Sequence, residues 1–123
     1  MTDSRELVFV YGTLRRGGSN HFRMAETEFV ESGILRGRLY RVDWYPGLVM
    51  DLAGDEIHGE VYSVLPGQLA ELDDFEGQEY RRIRATVKTP YGVPMKAWIW
   101  EWLMPTDEGQ RITSGDWLKE NGV

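Results

Sequence analysis

The sequence predicts an α+β domain, a small bent mixed β-barrel of about six strands with one or two short helices. Several short segments rich in β-branched and aromatic residues are separated by turn residues, as is typical of strands in a small barrel. One stretch, after Pro66, has apolar residues at helical spacing. Glycines and prolines are spread along the 123 residues, so we expect a single domain, 1–123.

The first predicted strand, 7–11, is a run of apolar and aromatic residues that ends abruptly at Gly12. It is too short for a core helix and rich in β-formers, which indicates a strand buried on both faces. Thr13, Arg15 and Arg16 follow with two more glycines, placing backbone N–H groups and cations at the strand end. This is either an ordinary turn or a receptor for a carboxylate or carbonyl oxygen.

The residues after this loop predict a short helical turn and then a long strand. Ser19 or Asn20 is suited to cap the turn, which would carry Phe22 and Met24 inward. The segment 28–42 alternates imperfectly and contains two glycines. We therefore expect one long bent strand, or two short ones, with a bulge at a glycine.

A turn signal at Pro46-Gly47 precedes two further strands. The pair favours a type II turn in which Gly47 takes positive φ. Two aromatic residues beside it, Trp44 and Tyr45, exceed what a turn requires. They either cap the core or form the wall of a pocket. Strands are expected over 48–52 and 57–65.

A helix of about two turns is predicted to cross over between strands. Pro66 stands where its first residue would lie, and Leu69, Leu72 and Phe75 repeat at helical spacing. Gly77 is suited to end it in the left-handed conformation.

Carboxylates crowd the C-terminal end of this helix. The helix dipole is negative there, and neighbouring like charges make ionisation still less favourable. The cluster is either a solvated acidic turn, balanced by the basic run 81–84, or a way to raise one carboxyl pKa towards the range useful for acid–base catalysis. Its members are Asp73, Asp74, Glu76 and Glu79.

The last segments predict a hairpin and a short tail. Alternation over 83–88, a turn at 89–92 and an apolar run over 95–103 indicate two more strands. Three tryptophans on one parity of the last strand either face the core, which we favour, or meet another layer or subunit. Asp116 is suited to cap a final turn, with Trp117 as a packing anchor.

Composition argues against several classes of function. The net charge of −6 and pI near 4.9 disfavour nucleic acid or an anionic membrane as the main partner. The absence of cysteine excludes disulfides and thiolate chemistry. His21 and His58 fit no metal spacing, so no metal site is expected. No apolar run approaches the ~20 residues of a membrane span, and the N-terminus is polar, so we expect a cytoplasmic protein and, by default, a monomer.

Two segments resemble signatures of a known family. Residues 8–15, Val-Phe-Val-Tyr-Gly-Thr-Leu-Arg, resemble the strand and loop of the γ-glutamylcyclotransferase-like, or AIG2-like, superfamily. Residues 72–77, Leu-Asp-Asp-Phe-Glu-Gly, resemble the segment that carries its catalytic glutamate. Segments 59–62 and 80–82 also fit the pattern, in the family's order. The sequence is most similar to the compact bacterial branch, and the run 73–77 also resembles that of the γ-glutamylamine cyclotransferases.

The resemblance implies a small bent β-barrel and an enzyme that needs no metal or cofactor. Such enzymes cleave small γ-glutamyl amides: the α-amine attacks the γ-carbonyl of the same molecule, releasing 5-oxoproline and an amine or amino acid. The family's catalytic glutamate maps onto Glu76, with Glu79 as the alternative base, and its cavity loop maps onto 11–14.

We expect the substrate to bind between this loop and the helix end. Backbone N–H groups of the loop are suited to bind the oxyanion, and Arg15 is a candidate partner for the substrate α-carboxylate. The candidate substrate-binding residues are Tyr11, Gly12, Thr13, Leu14, Arg15, Tyr45 and Tyr80. The alternatives are a non-catalytic module that binds γ-glutamyl or carboxylate ligands on the same fold, and an interaction protein that uses the tryptophan face.

Overall fold

The computed structural model describes residues 4–120 as a curled six-stranded sheet with two helices. The strands and helices are β1 (Glu6–Val10), β2 (Glu28–Arg41), β3 (Pro46–Met50), β4 (Asp55–Val64), α1 (Pro66–Glu76), β5 (Tyr80–Val87), β6 (Met95–Trp102) and α2 (Trp117–Glu120). The predicted α+β class, the strand number and the short helices are confirmed. Residues 1–3 and 121–123 of the predicted domain lie outside the described part.

The strand order is β3-β2-β4-β1-β6-β5, and curling turns the sheet into a half-barrel. Neighbouring strands are antiparallel except β1 and β6, which are parallel. The two ends of the sheet approach each other. Ile34 in β2 forms a bridge with Lys88 after β5, and the Met50 N–H of β3 donates to the Glu101 carboxylate of β6 at 3.0 Å.

β1 lies at the centre of the sheet and is buried on both faces, as the sequence predicts. Phe9 packs into the barrel interior with Leu39 and Ile57. Val8 points to the other side, where Leu72 and its neighbours on α1 cover the sheet. The residue that follows β1 therefore emerges between the barrel interior and α1.

The turn before β3 differs from the prediction. It lies over 42–45, where the Val42 N–H donates to the Tyr45 carbonyl, and Pro46 already begins β3. Gly47 does not have positive φ. Its missing side chain instead admits Trp102, because a Cβ atom on Gly47 would lie 2.6 Å from the indole ring.

The region before and within β2 contains two further corrections. β2 is one continuous strand, but its irregularity lies between Phe29 and Glu31 instead of at a glycine. The predicted helical turn is a 3₁₀ turn over His21–Met24, and its last residue is buried. Phe22, expected inside, is 67% exposed.

α1 begins at Pro66 as predicted and buries Leu69 and Leu72. Gly77 ends it with φ of 82°, the positive value expected, but with ψ of −172°, which is extended and not the left-handed helical conformation. At the start of α2, the Asp116 carboxylate accepts from the Lys119 N–H, so the predicted cap is confirmed. Within residues 4–120 no helix has the length and apolar character needed to span a membrane.

Candidate active site

A cavity of about 260 Å³ opens where β1 ends. Loop residues 11–14 line it, and so do Glu76 and Glu79 from the end of α1 and the turn that follows. The structure thus brings together the two segments that the sequence singled out. Aromatic side chains form much of the remaining wall: Trp44, Tyr45, Phe75, Tyr80 and Trp100.

The loop 11–14 owes its shape to a close approach and to hydrogen bonds from outside the cavity. A Cβ atom on Gly12 would lie 2.6 Å from Pro46 Cγ, so only glycine fits here. The Arg15 N–H donates to the Gly12 carbonyl at 3.1 Å, and the Asn20 N–H donates to the Thr13 carbonyl at 2.9 Å. Carbonyl oxygens are therefore engaged within the protein.

The N–H groups of the same loop are not engaged. Among the described residues, no acceptor receives a hydrogen bond from the N–H of Gly12, Thr13 or Leu14. All three residues are buried and line the cavity. Backbone donors of this kind on a fixed loop are suited to bind an oxyanion or a carboxylate.

Arg15 turns away from the cavity and forms a buried ion-pair network. Its Nε lies 2.7 Å from Glu60 Oε2, and one Nη lies 2.9 Å from Asp116 Oδ1. The second Glu60 oxygen accepts from the Arg16 N–H at 2.8 Å. Glu60 is only 7% exposed. This network ties the end of the loop to β4 and to the turn before α2.

Glu76, at the last position of α1, is in the opposite situation. Its partly buried carboxylate lines the cavity and makes no hydrogen bond or ion pair with any residue in 4–120. Burial raises the pKa of Glu76 from 4.5 to about 7, and the neighbouring Asp73 charge adds to the shift. Near neutral pH this group can therefore both accept and donate a proton.

The other carboxylates of the acidic cluster have different surroundings. Asp73 accepts hydrogen bonds from Arg82 Nε and Trp100 Nε1, each at 2.9 Å. Asp74 is exposed and does not line the cavity, whereas Glu79 is exposed and does. The four carboxylates therefore do not behave as one group. Hydrogen-bond donors engage Asp73, Asp74 faces solvent, and Glu76 and Glu79 line the cavity.

Two of the three candidate tyrosines use their hydroxyl groups inside the protein. Tyr11 Oη donates to the Trp100 carbonyl at 2.7 Å, and Tyr80 Oη donates to the Pro46 carbonyl at 2.7 Å. Burial raises the pKa of both phenols well above the usual value. Tyr45 is less buried, and its pKa is raised by burial and by the Glu79 charge. These residues form walls and do not offer free acidic protons.

A metal site is not part of this arrangement as far as the structure describes it. Over residues 4–120 there is no group of three or more His, Asp or Glu side chains placed to hold a metal ion.

Comparisons with known proteins identify the family of this chain. The sequence profile described as "Gamma-glutamyl cyclotransferase, AIG2-like" matches residues 8–119. The chain is 36% identical over 112 residues to the "Gamma-glutamylcyclotransferase family protein YtfP" of Escherichia coli, covering 90% of this chain and 95% of that protein. The chain belongs to the γ-glutamylcyclotransferase family.

Solved structures share the fold of this family. A crystal structure of an uncharacterized protein from Pyrococcus horikoshii matches with a TM-score of 0.76 and 30% identity, covering 95% of this chain and 92% of that one. The AIG2-like protein of Mus musculus matches with a TM-score of 0.72 and 27% identity, covering 85% and 86% of the two chains. The half-barrel is therefore the family fold.

The predicted site residues of this family member separate into two groups. The cavity is lined by Tyr11, Gly12, Thr13, Leu14, Tyr45, Glu76 and Tyr80. Arg15 is the correction: it does not line the cavity, because Glu60 and Asp116 hold its guanidinium elsewhere. An arginine next to the loop 11–14 suggests a contact with ligand. Only the fold shows which carboxylates of the protein form ion pairs with it.

Sequence analysis missed one residue and left another open. Trp44, one of the two aromatic residues expected either to cap the core or to form a pocket wall, lines the cavity although it is 59% exposed. Glu60 fixes the loop from β4, and its signal was a carboxylate placed among the glycine, valine and tyrosine of the segment 59–62. Such a carboxylate calls for a partner, but the strand itself does not say where the partner lies.

Proposed function

We propose that the protein is a γ-glutamyl cyclotransferase that converts a γ-glutamyl amide into 5-oxoproline and an amine or amino acid. Glu76 is the general acid–base group, and the loop 11–14 binds the reacting half of the substrate. One observation carries the proposal: a carboxylate with a pKa of about 7 shares a cavity with backbone N–H groups that have no acceptor in the described protein.

The reaction needs one group that moves a proton between two nitrogens. The substrate α-ammonium first loses a proton to water, and the free amine attacks the γ-carbonyl carbon. Glu76 takes the second proton as the new C–N bond forms. It then gives that proton to the leaving nitrogen as the original C–N bond breaks. Such a group contributes roughly 10²–10⁴-fold to the rate.

The remaining catalytic contribution is positioning. The nucleophile belongs to the substrate, so the cavity only has to hold a five-membered near-attack geometry, for which good orientation supplies several kcal/mol. The N–H groups of Gly12, Thr13 and Leu14 are the donors available for the developing oxyanion or for the α-carboxylate. Tyr11 and Tyr80, fixed by their own hydrogen bonds, support the proposal by giving the cavity rigid walls.

The test is release of 5-oxoproline from γ-glutamyl amino acids, γ-glutamyl-ε-lysine, simple γ-glutamyl amines and glutathione. We expect the wild-type protein to turn over at least one of these compounds and Glu76→Gln to lose about 10²–10⁴-fold in kcat. Glu79→Gln is the matched control, because it removes the other carboxylate that lines the cavity.

The outcomes separate the alternatives. Full activity in Glu76→Gln with loss in Glu79→Gln would move the acid–base role to Glu79. Absence of turnover on every compound by folded protein would contradict the enzyme and favour a non-catalytic module, for which calorimetry with γ-glutamyl ligands is the direct measurement.

A further inference from the structure

The charged and aromatic side chains that line the cavity decide which amine half it can accept. Within the described chain, the charged side chains that line the cavity are Glu76 and Glu79, and no lysine or arginine lines it. Arg15, the basic residue that the sequence suggested as a ligand contact, is held by Glu60 and Asp116. The cavity therefore presents negative charge and backbone donors, but no cationic side chain.

Glu79 is the carboxylate that the proposed chemistry leaves unused. It is exposed and lines the cavity, and its charge adds to the effect of burial in raising the pKa of both Tyr45 and Tyr80. Asp43 also raises the pKa of Tyr45. The field at this side of the cavity is thus negative, and the substrate half that reaches it experiences that field.

An exposed indole accompanies this carboxylate. Trp44 lines the cavity with 59% of its surface in solvent, and its ring packs edge-on against Tyr45 at 5.0 Å between centroids. An aromatic face beside a carboxylate is the usual combination for an alkylammonium group: the ring attracts the cation and covers its methylene chain. A carboxylate on the ligand would find repulsion and no counter-ion here.

From this arrangement we infer that the site selects γ-glutamyl amides whose amine half carries a second ammonium group and no carboxylate, as in the monoamides of linear diamines and polyamines. Glu79 recognises the distal ammonium, and Trp44 covers the methylene chain between the two nitrogens. The inference rests on the proposed function, since it concerns the leaving half of the same substrate.

Three γ-glutamyl amides of matched length test the charge preference: those of 1,4-diaminobutane, pentylamine and 4-aminobutyrate. An exposed ion pair is weak, so we expect kcat/KM to be about threefold higher for the cationic than for the neutral amide, and about tenfold higher than for the anionic amide. Glu79→Gln should bring the three values close together, and so should high salt.

Two controls make the result specific. Asp74→Asn changes the net charge equally but alters a carboxylate that does not line the cavity, and it should leave the order of the three amides unchanged. Calorimetry on Glu76→Gln and on Glu76→Gln/Glu79→Gln measures the same preference as binding, without turnover.

The outcomes distinguish this inference from the function on which it rests. Equal kcat/KM for all three amides, or a preference unaltered in Glu79→Gln, would overturn the charge preference and leave the cyclotransferase intact. Cation-selective binding without any 5-oxoproline would overturn the cyclotransferase and support the charge preference. An equal change in Asp74→Asn would reduce the effect to net charge and contradict the role of Glu79.

Discussion

Two glutamates near the ends of the loop 11–14 have opposite surroundings. Glu60, in β4, is almost fully buried, and both of its oxygens are engaged, one by the Arg15 guanidinium and the other by the Arg16 N–H. Glu76, at the end of α1, is partly buried and makes no hydrogen bond or ion pair within residues 4–120. Burial raises the pKa of Glu76 to about 7.

The comparison shows that two carboxylates on opposite sides of one cavity differ in whether other groups of the protein engage them. Glu60, a buried carboxylate with a full set of partners, fixes the loop, and its removal would leave the Arg15 guanidinium with Asp116 as its remaining carboxylate partner. A carboxylate buried without partners lies close to its titration point, which decreases stability but allows proton transfer. The same residue type therefore fixes the loop on one side of the cavity and has a pKa of about 7 on the other.

The strongest test of this comparison is Glu60→Gln. Breaking a buried ion pair from one side costs about 3 kcal/mol or more, so we expect the free energy of unfolding to fall by about 3 kcal/mol at pH 7. KM should rise more than kcat falls, because the loop proposed to bind substrate loses a hydrogen-bonded contact that fixes it. Urea unfolding and steady-state kinetics measure the two effects. In the double variant Arg15→Gln/Glu60→Gln the loss should be smaller than the sum of the single losses. Strict additivity would show that the pair is not coupled.

The matched substitution Glu76→Gln should change stability in the opposite direction. The folded-state pKa of Glu76 is raised above the unfolded value of 4.5. The stability that the protonated Glu76 carboxyl contributes is therefore fully present below pH 4.5 and is lost as pH rises towards about 7. The shift corresponds to at most about 3 kcal/mol, and partial contact with solvent reduces it. We expect Glu76→Gln to gain about 1–2 kcal/mol at pH 8 and almost nothing at pH 4. An equal loss at both pH values would mean that Glu76 has a hydrogen-bond partner.

The smallest expected effect comes from Asp73→Asn. The Asp73 charge contributes to the raised pKa of Glu76, so its removal should lower that pKa below about 7. Because the base acts in its deprotonated form, the acidic limb of kcat/KM assigned to Glu76 should move to lower pH. Asp74→Asn, an exposed neighbour on the same helix, should move it less. A shift to higher pH, or an equal shift in both variants, would contradict the proposed coupling.

Much of the fold follows from local patterns. The alternation in β4 and β5, the helical spacing of Leu69 and Leu72, and Pro66 at the first turn of α1 each determine one element through nearby residues alone. Pro46 was harder to place, because a residue without an N–H suits a turn and also the start of an edge strand. The choice depends on β2, which pairs with Pro46 from outside the local sequence.

The candidate site was predictable where neighbouring residues form a recognisable motif. It was less predictable where a side chain is held by partners that are distant in sequence. Residues 11–14 and Glu76 were identified from their motifs, and the structure places both at one cavity. The environment of Arg15 was not predictable, because Glu60 and Asp116 are 45 and 101 residues away in sequence. The same reason explains why the acidic cluster left two interpretations open: Arg82 and Trp100 engage Asp73 but not Glu76.

The hydrogen bonds around β3 have a consequence for self-association. Exposed edge strands invite pairing with other chains through their outward N–H groups. On the outer edge of β3, Pro46 has no N–H, the Leu48 N–H donates to Tyr11 Oη, and the Met50 N–H donates to Glu101. At these three alternate positions the N–H group is either absent or already bonded, so it cannot pair with an incoming strand. The Tyr11 side chain, which lines the cavity, therefore also disfavours edge-to-edge aggregation by bonding one of these N–H groups.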